Sequence, residues 1–511
     1  MNQQLKEVFE KDIEIFAEKI KAFEAGEIDR KTYKSISGGY GSYAQRNGGH
    51  MLRFPMPGGR LTKERLRFLA ESVEMYGTTR IKLTTCQTVQ FHNLSADATV
   101  ELMKNALNAG IVTRGAGGDF PRNAMASPLS GVEQGEYFDV LPFAEKTAAY
   151  LQNLMPTIHL PRKLKVGFSN SPKNSTHATF RDLGFAARED GKFDVYCAGG
   201  LGPAPKLGVK VVKGLEPENI LACVDAMIQV FTEFGNYENR AWSRSRFMQD
   251  QLGVERLREE FAKTLEKTKE VSEKLTVKVW SVEKESSGTF KSERVIPQKQ
   301  KGLYTVGYHP VGGVFPVDKT RQIYQTIKDM PEVECRISPD GTLYIINLAV
   351  LEVPAVLEAT MDSAMTPFER SVCCIGASIC QHGMRDSQAL LAEMIEAVRD
   401  AKLPADALPR VHISGCPSSC GTQQVGMLGF QGGVKRVNGK IEPAFALFWG
   451  GRERQGEERM GEPIGFIVQE RIPEFMVEMG RMVADSGMNF EEWIEKKERE
   501  FMALADQYVV K

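Results

Sequence analysis

What this chain of 511 residues lacks removes several classes of protein. It has 65 basic against 66 acidic residues, a formal charge of −1, so no global positive excess draws it to nucleic acid or to an acidic membrane surface. Long apolar runs are missing too. Even LYIINLAVLEVPAVL is broken by Asn347 and Glu352, short of the roughly 18 uninterrupted apolar residues a spanning helix requires. The opening MNQQLKEVFEKDIEIFAEKIKAFEAG is charged every few residues where an export signal needs an apolar stretch. Nine cysteines in 511 residues are too few for a disulfide framework, and the expected location is the reducing cytoplasm. No dinucleotide fingerprint occurs: GAGGDF at Gly115 lacks the G-x-G-x-x-G spacing, and GGLGPAPKLG at Gly199 is interrupted by prolines. What remains is an ordinary globular composition, 42% hydrophobic and 26% charged, on a chain long enough for two to four domains.

The few cysteines are unevenly placed. Cys374 with Cys380, and Cys416 with Cys420, form C-x5-C and C-x3-C pairs, together the four thiolates that a cubane iron–sulfur cluster takes. Six residues turn a helical side chain through roughly 240°, so a loop must bend between Cys374 and Cys380. The second pair lies in SGCPSSCGTQQ, where Gly415, Pro417 and Gly421 predict a tight turn able to point N–H groups at sulfur. A zinc clip accommodates C-x3-C but not C-x5-C. Cys223 and Cys335 sit in apolar runs and read as core. Cys373 is a possible alternative ligand to its neighbour, and the C-x5-C spacing selects Cys374.

Along the chain, an amphipathic helix from about Leu5 to Phe23 precedes a segment from Met51 that runs strand, Gly-Gly turn, helix, strand, strand, helix. Leu66, Leu69 and Val73 give the helical period, and Ile81, Leu83 and Thr85 alternate as in a strand. A second segment from Leu303 has the same order, with Gly313 to Leu348 spaced as Gly59 to Leu94, Thr342 falling on Thr88 and Asn347 on Asn93. Two such copies predict duplicated α/β halves about a pseudo-twofold with a site between them. Glu216 to Phe234 reads as a helix stopped by Gly235, Val282 to Gly302 as a surface connection, Phe445 to Trp449 as strand, and the chain from Phe490 as a charged helix.

With these motifs in order, MLRFPMPGG at Met51, LTTCQTVQFH, GGDFPRNAM, GEYFDVLPFA, LPRKLK and then the two cysteine loops, the chain resembles the sirohaem- and [4Fe-4S]-containing nitrite and sulfite reductases over most of its length. The resemblance implies an α/β (α+β) three-domain architecture with duplicated ferredoxin-like halves. The expected divisions are 1–115 for the N-terminal helix and first half, 116–280 for a first sirohaem and substrate domain, 281–365 for the second half, and 366–511 for a second, cluster-binding sirohaem domain. It also implies two cofactors, a sirohaem and a [4Fe-4S] cluster, with Cys374, Cys380, Cys416 and Cys420 on the cluster and Cys420 shared with the haem iron.

Carried over in the same way, Arg122 of PRN and Lys163 and Lys165 of PRKLK are the cations that grip the substrate anion and supply protons. The two lysines alternate and so share one face of an extended segment. Arg53 and Arg114 are candidates for the sirohaem carboxylates, and Gly199 and Gly200 for a close backbone approach to the macrocycle. One departure stands out: where the family motif reads T-T-R-Q, this chain has Cys86, which removes a bidentate guanidinium and makes the thiol itself a catalytic-site candidate. His92 is expected to be a strand residue rather than a ligand. K-x-K favours six-electron reduction of sulfite to sulfide as the first expectation. Nitrite to ammonia is the alternative, and the loss at Cys86 leaves a non-catalytic electron-transfer or sensing protein as a further one. With no flavin or nicotinamide domain, electrons are expected from a separate protein, a ferredoxin or another donor.

Overall fold

The computed structural model describes residues 1–278 and 280–510. The first helix, Gln3–Glu24, is set by Phe9, Ile13, Phe16 and Ile20, whose spacing places all four on one buried face, and by Asn2, whose side chain accepts from Leu5 N at 2.8 Å. Each such buried side chain contributes roughly 1.5–3 kcal/mol relative to exposure. The helix packs over the first repeat, where strand His50–Pro55, helix Lys63–Tyr76, strands Arg80–Leu83 and Thr88–Leu94 and helix Ala96–Asn108 follow the predicted order. The second repeat matches it: Leu303–Tyr308, Val317–Ile327, Glu334–Ile337, Leu343–Ala349 and Val353–Ala359.

The residues that aligned the repeats are those with unusual backbone. Gly58 and Gly312 have φ of 62° and 60°, Gly59 and Gly313 73° and 66°, Asn93 and Asn347 62° and 63°. The Gly-Gly turns also interlock the halves. Arg60–Leu61 leaves its own sheet to pair with Glu334–Ile337, and Val314–Phe315 pairs with Arg80–Leu83. Each half therefore completes the other's five-stranded sheet, and one core contains Leu61, Phe91, Cys335 and Ile345 together. The connection Val282–Gly302 is not wholly surface loop, since Val295–Pro297 adds an antiparallel strand beside Leu303–Tyr308.

The other two sheets also share one plan. Met125–Ala126, Val166–Ser169 and Leu183–Ala187 run parallel, and Phe193–Cys197 and Val209–Leu215 return antiparallel. Val372–Cys373, Val411–Ser414 and Leu428–Val437 repeat that parallel set, and Lys440–Trp449 and Glu462–Val468 the return. The register is identical: Gly167 pairs with Met125 as His412 pairs with Val372, and Val166 with Leu183 as Val411 with Leu428. The sequence carries little trace of this second duplication beyond Leu183-Gly184-Phe185 and Leu428-Gly429-Phe430, whose glycines hold equivalent places against neighbouring backbone. Among the described residues, no helix is long and apolar enough to cross a membrane.

The interlock makes a test. At Gly59 a Cβ would lie 2.6 Å from the Ile337 carbonyl, whereas at Gly77, also at positive φ, nothing lies within 4 Å. Gly77→Ala should cost about 1–2 kcal/mol from backbone strain alone, and Gly59→Ala about 1–3 kcal/mol more from the overlap, read as a larger fall in urea midpoint at unchanged m.

Candidate active site

Cys374 leaves the end of strand Val372–Cys373, and strand alternation separates it from Cys373, which is buried in the core of the last domain. Cys380 follows an irregular loop bent at Gly376, φ 81°. Cys416 and Cys420 come from the turn after Val411–Ser414, whose Gly415 N–H donates to Cys374 Sγ at 3.2 Å. Ser387 Oγ lies 3.0 Å from the same sulfur. Burial, reinforced by Cys374, Cys380 and Cys416 nearby, pushes the Cys420 thiol up to about 12, with Lys163 acting in the opposite sense. The four sulfurs thus share one compartment, and a cation of the first domain faces it. Cys420 is solvent-reachable while protein surrounds it, as on a cavity wall. Among the described residues no three His, Cys, Asp or Glu side chains converge closely enough for a single ion.

Opposite them stands the tip of the Arg80–Leu83/Thr88–Leu94 hairpin. Thr84 Oγ1 accepts from Cys86 N at 3.3 Å and Thr88 N at 3.1 Å, which tightens the turn. Asn123 Nδ2 donates to the carbonyls of Cys86 and Gln87, both at 3.1 Å. Thr85 Oγ1 reaches the Cys420 carbonyl at 3.2 Å, so the tip touches the cysteine loop. Burial pushes the Cys86 thiol up, but Lys165, Arg181 and Arg53 pull it down to about 6. The Cys86 thiolate raises the Lys165 ammonium, and burial with Arg181 and Arg244 more than offsets this, leaving Lys165 below the usual lysine value. With this many cations in one enclosure, ionising the thiol relieves repulsion, and the surroundings favour the charged form of Cys86.

Burial, then Arg244, Lys165 and Arg122, hold the Lys163 ammonium well below the ordinary range. Arg122 is drawn down to about 10 by burial, against the pull of Tyr43, and remains a cation at neutral pH. Its Nη1 and Nη2 donate to the carbonyls of Ala116 and Gly118 at 3.0 and 2.8 Å, while Nε has no partner. Arg244 Nε, Arg246 Nε, Arg385 Nε and Ser419 Oγ are likewise buried without partners. A wall of buried cations with unmet donors fits a carboxylate-rich macrocycle, because an unpaired buried charge is costly.

Some expected residues are engaged elsewhere. Arg114 does not join the group: it pairs with Asp12 at 3.0 Å, donates to the Gly39 carbonyl at 2.9 Å and stacks on Tyr40 and Phe120. At Gly199 a Cβ would meet Phe180 backbone at 2.7 Å. Gly200 does border the cations, with Arg244 Nη2 3.2 Å from its Cβ position. Arg53 is near Cys86 yet already donates to the Ala116 carbonyl at 2.6 Å and to Gln90 at 2.7 and 3.1 Å with the amide oxygen turned inward. His92 is a buried strand residue on Gln45, 3.0 Å away. Sequence reasoning missed Arg181, Asp182, Arg244 and Arg246. Of these only the R-x-R spacing of Arg244 and Arg246, the same alternation as K-x-K, was a visible signal.

Two family descriptions match the chain. The nitrite/sulfite reductase ferredoxin-like half domain covers residues 43–109, and the nitrite and sulphite reductase 4Fe-4S domain covers 117–269. The chain belongs to the nitrite and sulfite reductase family. Its cofactors are a sirohaem and a [4Fe-4S] cluster. The matched 117–269 segment contains only the buried Cys197 and Cys223, so the thiol set lies in its duplicate near the C-terminus. A ferredoxin–nitrite reductase of Synechococcus elongatus is 26% identical over 428 residues, 79% of this chain and 80% of that one. The chloroplastic ferredoxin–nitrite reductase of Spinacia oleracea is 28% identical, over 79% and 70%. The assimilatory ferredoxin-dependent nitrite reductase of Haloferax mediterranei is 24% identical, over 95% and 88%. The solved Mycobacterium tuberculosis NirA protein shares the fold, with a TM-score of 0.77 at 21% identity over 95% of each chain.

The thiolate pair predicts reactivity. Cys86 in the wild type should alkylate with iodoacetamide with a pH midpoint near 6, and Lys165→Met should move that midpoint upward, as followed by mass spectrometry of the Cys86 peptide.

Proposed function

We propose that the protein reduces nitrite to ammonia, receiving electrons one at a time from a ferredoxin. The single observation that supports this most is the placement of Lys163 and the Cys86 hairpin tip against the Cys420 loop, which brings an anion-binding wall and a cluster-forming thiol set to one compartment. In this reading Cys374, Cys380, Cys416 and Cys420 would hold the cluster, and the Cys420 thiol would also serve the sirohaem. When bound, the two cofactors would supply low-potential electrons to the anion.

The side chains do the rest. Arg122 stays charged and anchored on two carbonyls, so it holds an anion without delivering its own proton. Lys163, whose ammonium is depressed by burial and neighbouring cations, is suited to give up a proton as an oxygen leaves as water. Positive charge fixed before the reaction stabilises the negative charge that builds on the departing oxygen, most strongly where water is excluded. Arg244 and Arg246 are suited to carboxylates of the macrocycle. Four thiolates that must stay reduced favour the reducing cytoplasm.

The names of relatives that span 79% to 95% of the chain support nitrite, and with them sulfite moves from first to second reading. Sulfite to sulfide keeps a specific support in Lys165, the second lysine of K-x-K. Anaerobically purified protein should show a sirohaem absorption spectrum with iron and acid-labile sulfide, and should consume nitrite with reduced ferredoxin at a higher kcat/KM than sulfite. A preference for sulfite reverses the order of the readings, and turnover of neither anion sinks both. Lys163→Met should lower kcat for the preferred anion by about 10²–10⁴-fold, and Cys420→Ser should abolish the sirohaem absorption.

A further inference from the structure

We propose that Arg181 is a further anion-binding residue of this cavity, aimed by the His177–Glu453 pair. The inference rests on the anion-reductase reading above and adds a residue to its binding wall.

The argument starts from the two hairpin tips. Thr84 N donates to Thr88 O and Gln87 N to Thr84 O in the first half; Ser338 N donates to Thr342 O and Gly341 N to Ser338 O in the second. Cys86 and Asp340 therefore occupy the same place on equivalent tips. Their partners are equivalent as well: Lys165 and Arg410 each immediately precede the matched strands Val166–Ser169 and Val411–Ser414. Asp340 pairs with Arg410 at 3.0 Å. The fold thus sets an anion on the tip against a cation before the strand in both copies, and in the first copy these are Cys86 and Lys165. A lysine matched by a thiolate is half neutralised and is a weaker partner for a dissolved anion.

Arg181 lies beside that pair. Its stem packs over Gly167, with Cγ 3.4 Å from the Cβ position, so the absence of a side chain there lets the guanidinium pass. One edge is fixed: Nε donates to the Thr176 carbonyl at 2.7 Å and Nη2 faces His177 Nδ1 at 3.4 Å. His177 Nε2 meets Glu453 Oε2 at 2.7 Å, and Glu453 Oε1 lies 3.5 Å from Arg410 Nη2. With Nδ1 accepting from Arg181, His177 carries its proton on Nε2 and donates it to Glu453. The adjacent carboxylate, Asp182, is consumed by Arg244 at 3.1 Å, by Ser245 and by the Lys165 N–H at 3.0 Å. Nη1 of Arg181 has no side-chain or backbone acceptor among the described residues. A guanidinium held on one edge and open on the other, within electrostatic reach of Cys86 and Lys165, is a prepared anion clamp.

The experiment uses cofactor-loaded protein. Nitrite binding is followed by optical titration of the haem band in wild type, Arg181→Gln, Arg181→Lys and Glu453→Gln. Loss of one charge-assisted contact should weaken binding about tenfold or more in Arg181→Gln, with partial recovery in Arg181→Lys and a smaller loss in Glu453→Gln. Binding in Arg181→Gln within about twofold of wild type overturns the proposal. A second readout is independent of the anion. With four cysteines assigned to the cluster and Cys197, Cys223, Cys335 and Cys373 buried, Cys86 is the accessible free thiol, and Arg181→Gln should raise the pH midpoint of its alkylation. An unchanged midpoint also overturns the placement. Should the wild type bind neither nitrite nor sulfite, the reductase reading fails and Arg181 loses its role as an anion clamp, while the alkylation shift still reports its position.

Discussion

The site depends on the carboxylate of Asp182, a fully buried acid placed among cations. Its Oδ2 accepts from the Lys165 N–H at 3.0 Å, its Oδ1 takes Arg244 Nη2 at 3.1 Å together with Ser245, and its own carbonyl accepts from Ala198 N at 3.0 Å. Burial raises this carboxyl, but Arg244, Ser245 and Lys165 hold it below the usual range. One anion thereby fixes the K-x-K segment, the R-x-R turn and the start of the strand Leu183–Ala187 at once. Without it, Lys163, Lys165, Arg181 and Arg244 would be like charges crowded in a low-dielectric enclosure, a cost of several kcal/mol per ion. The arrangement keeps a local surplus of positive charge in a protein that is neutral as a whole, which is the condition for concentrating a small anion.

Duplication supplies the framework, and side chains break its symmetry. Ser127 N donates to Phe168 O at 3.0 Å as Cys374 N donates to Ile413 O at 3.1 Å, and Asn170 N donates to Ser127 Oγ at 3.1 Å as Gly415 N donates to Cys374 Sγ at 3.2 Å. The first copy thus has Ser127, Ser171 and Ser175 where the second has Cys374, Cys416 and Cys420. Hydroxyls keep the turn geometry but do not ionise to soft ligands, so one copy forms the thiol compartment and the other does not. The charges divide in the complementary sense. Asp340, Arg410, Glu453 and His177 neutralise one another beside the serine copy, while the cations facing the cysteine copy retain open donors.

The interlocked Gly-Gly turns serve the same end. By exchanging Arg60–Leu61 and Val314–Phe315 the halves form one core, and Gln87, fully buried, ties Ala126 and Ile337 at 2.8 Å each across that junction. Gln424 bridges to Gly202 with bonds of 2.7 and 3.1 Å and joins the two copies of the second duplication. A site assembled from four segments distant in sequence is rigid only because such side-chain ties remove relative motion of the pieces.

The amino-acid sequence by itself determined what depends on local spacing: the period of the helices, the repeat marked by Gly59, Asn93, Gly313 and Asn347, the two cysteine pairs and the alternating lysines of K-x-K. These are readable because backbone sterics and side-chain periodicity act over a few residues. Tertiary structure alone decided that Arg114 is consumed by Asp12, that Gly199 makes room for Phe180 backbone, that Arg181 and Arg244 join Lys163 and Lys165 around Asp182, and that Cys86 is set among cations that lower its thiol. Each of these is a balance of charge and burial summed over groups from different domains, and no stretch of chain contains its own electrostatic surroundings.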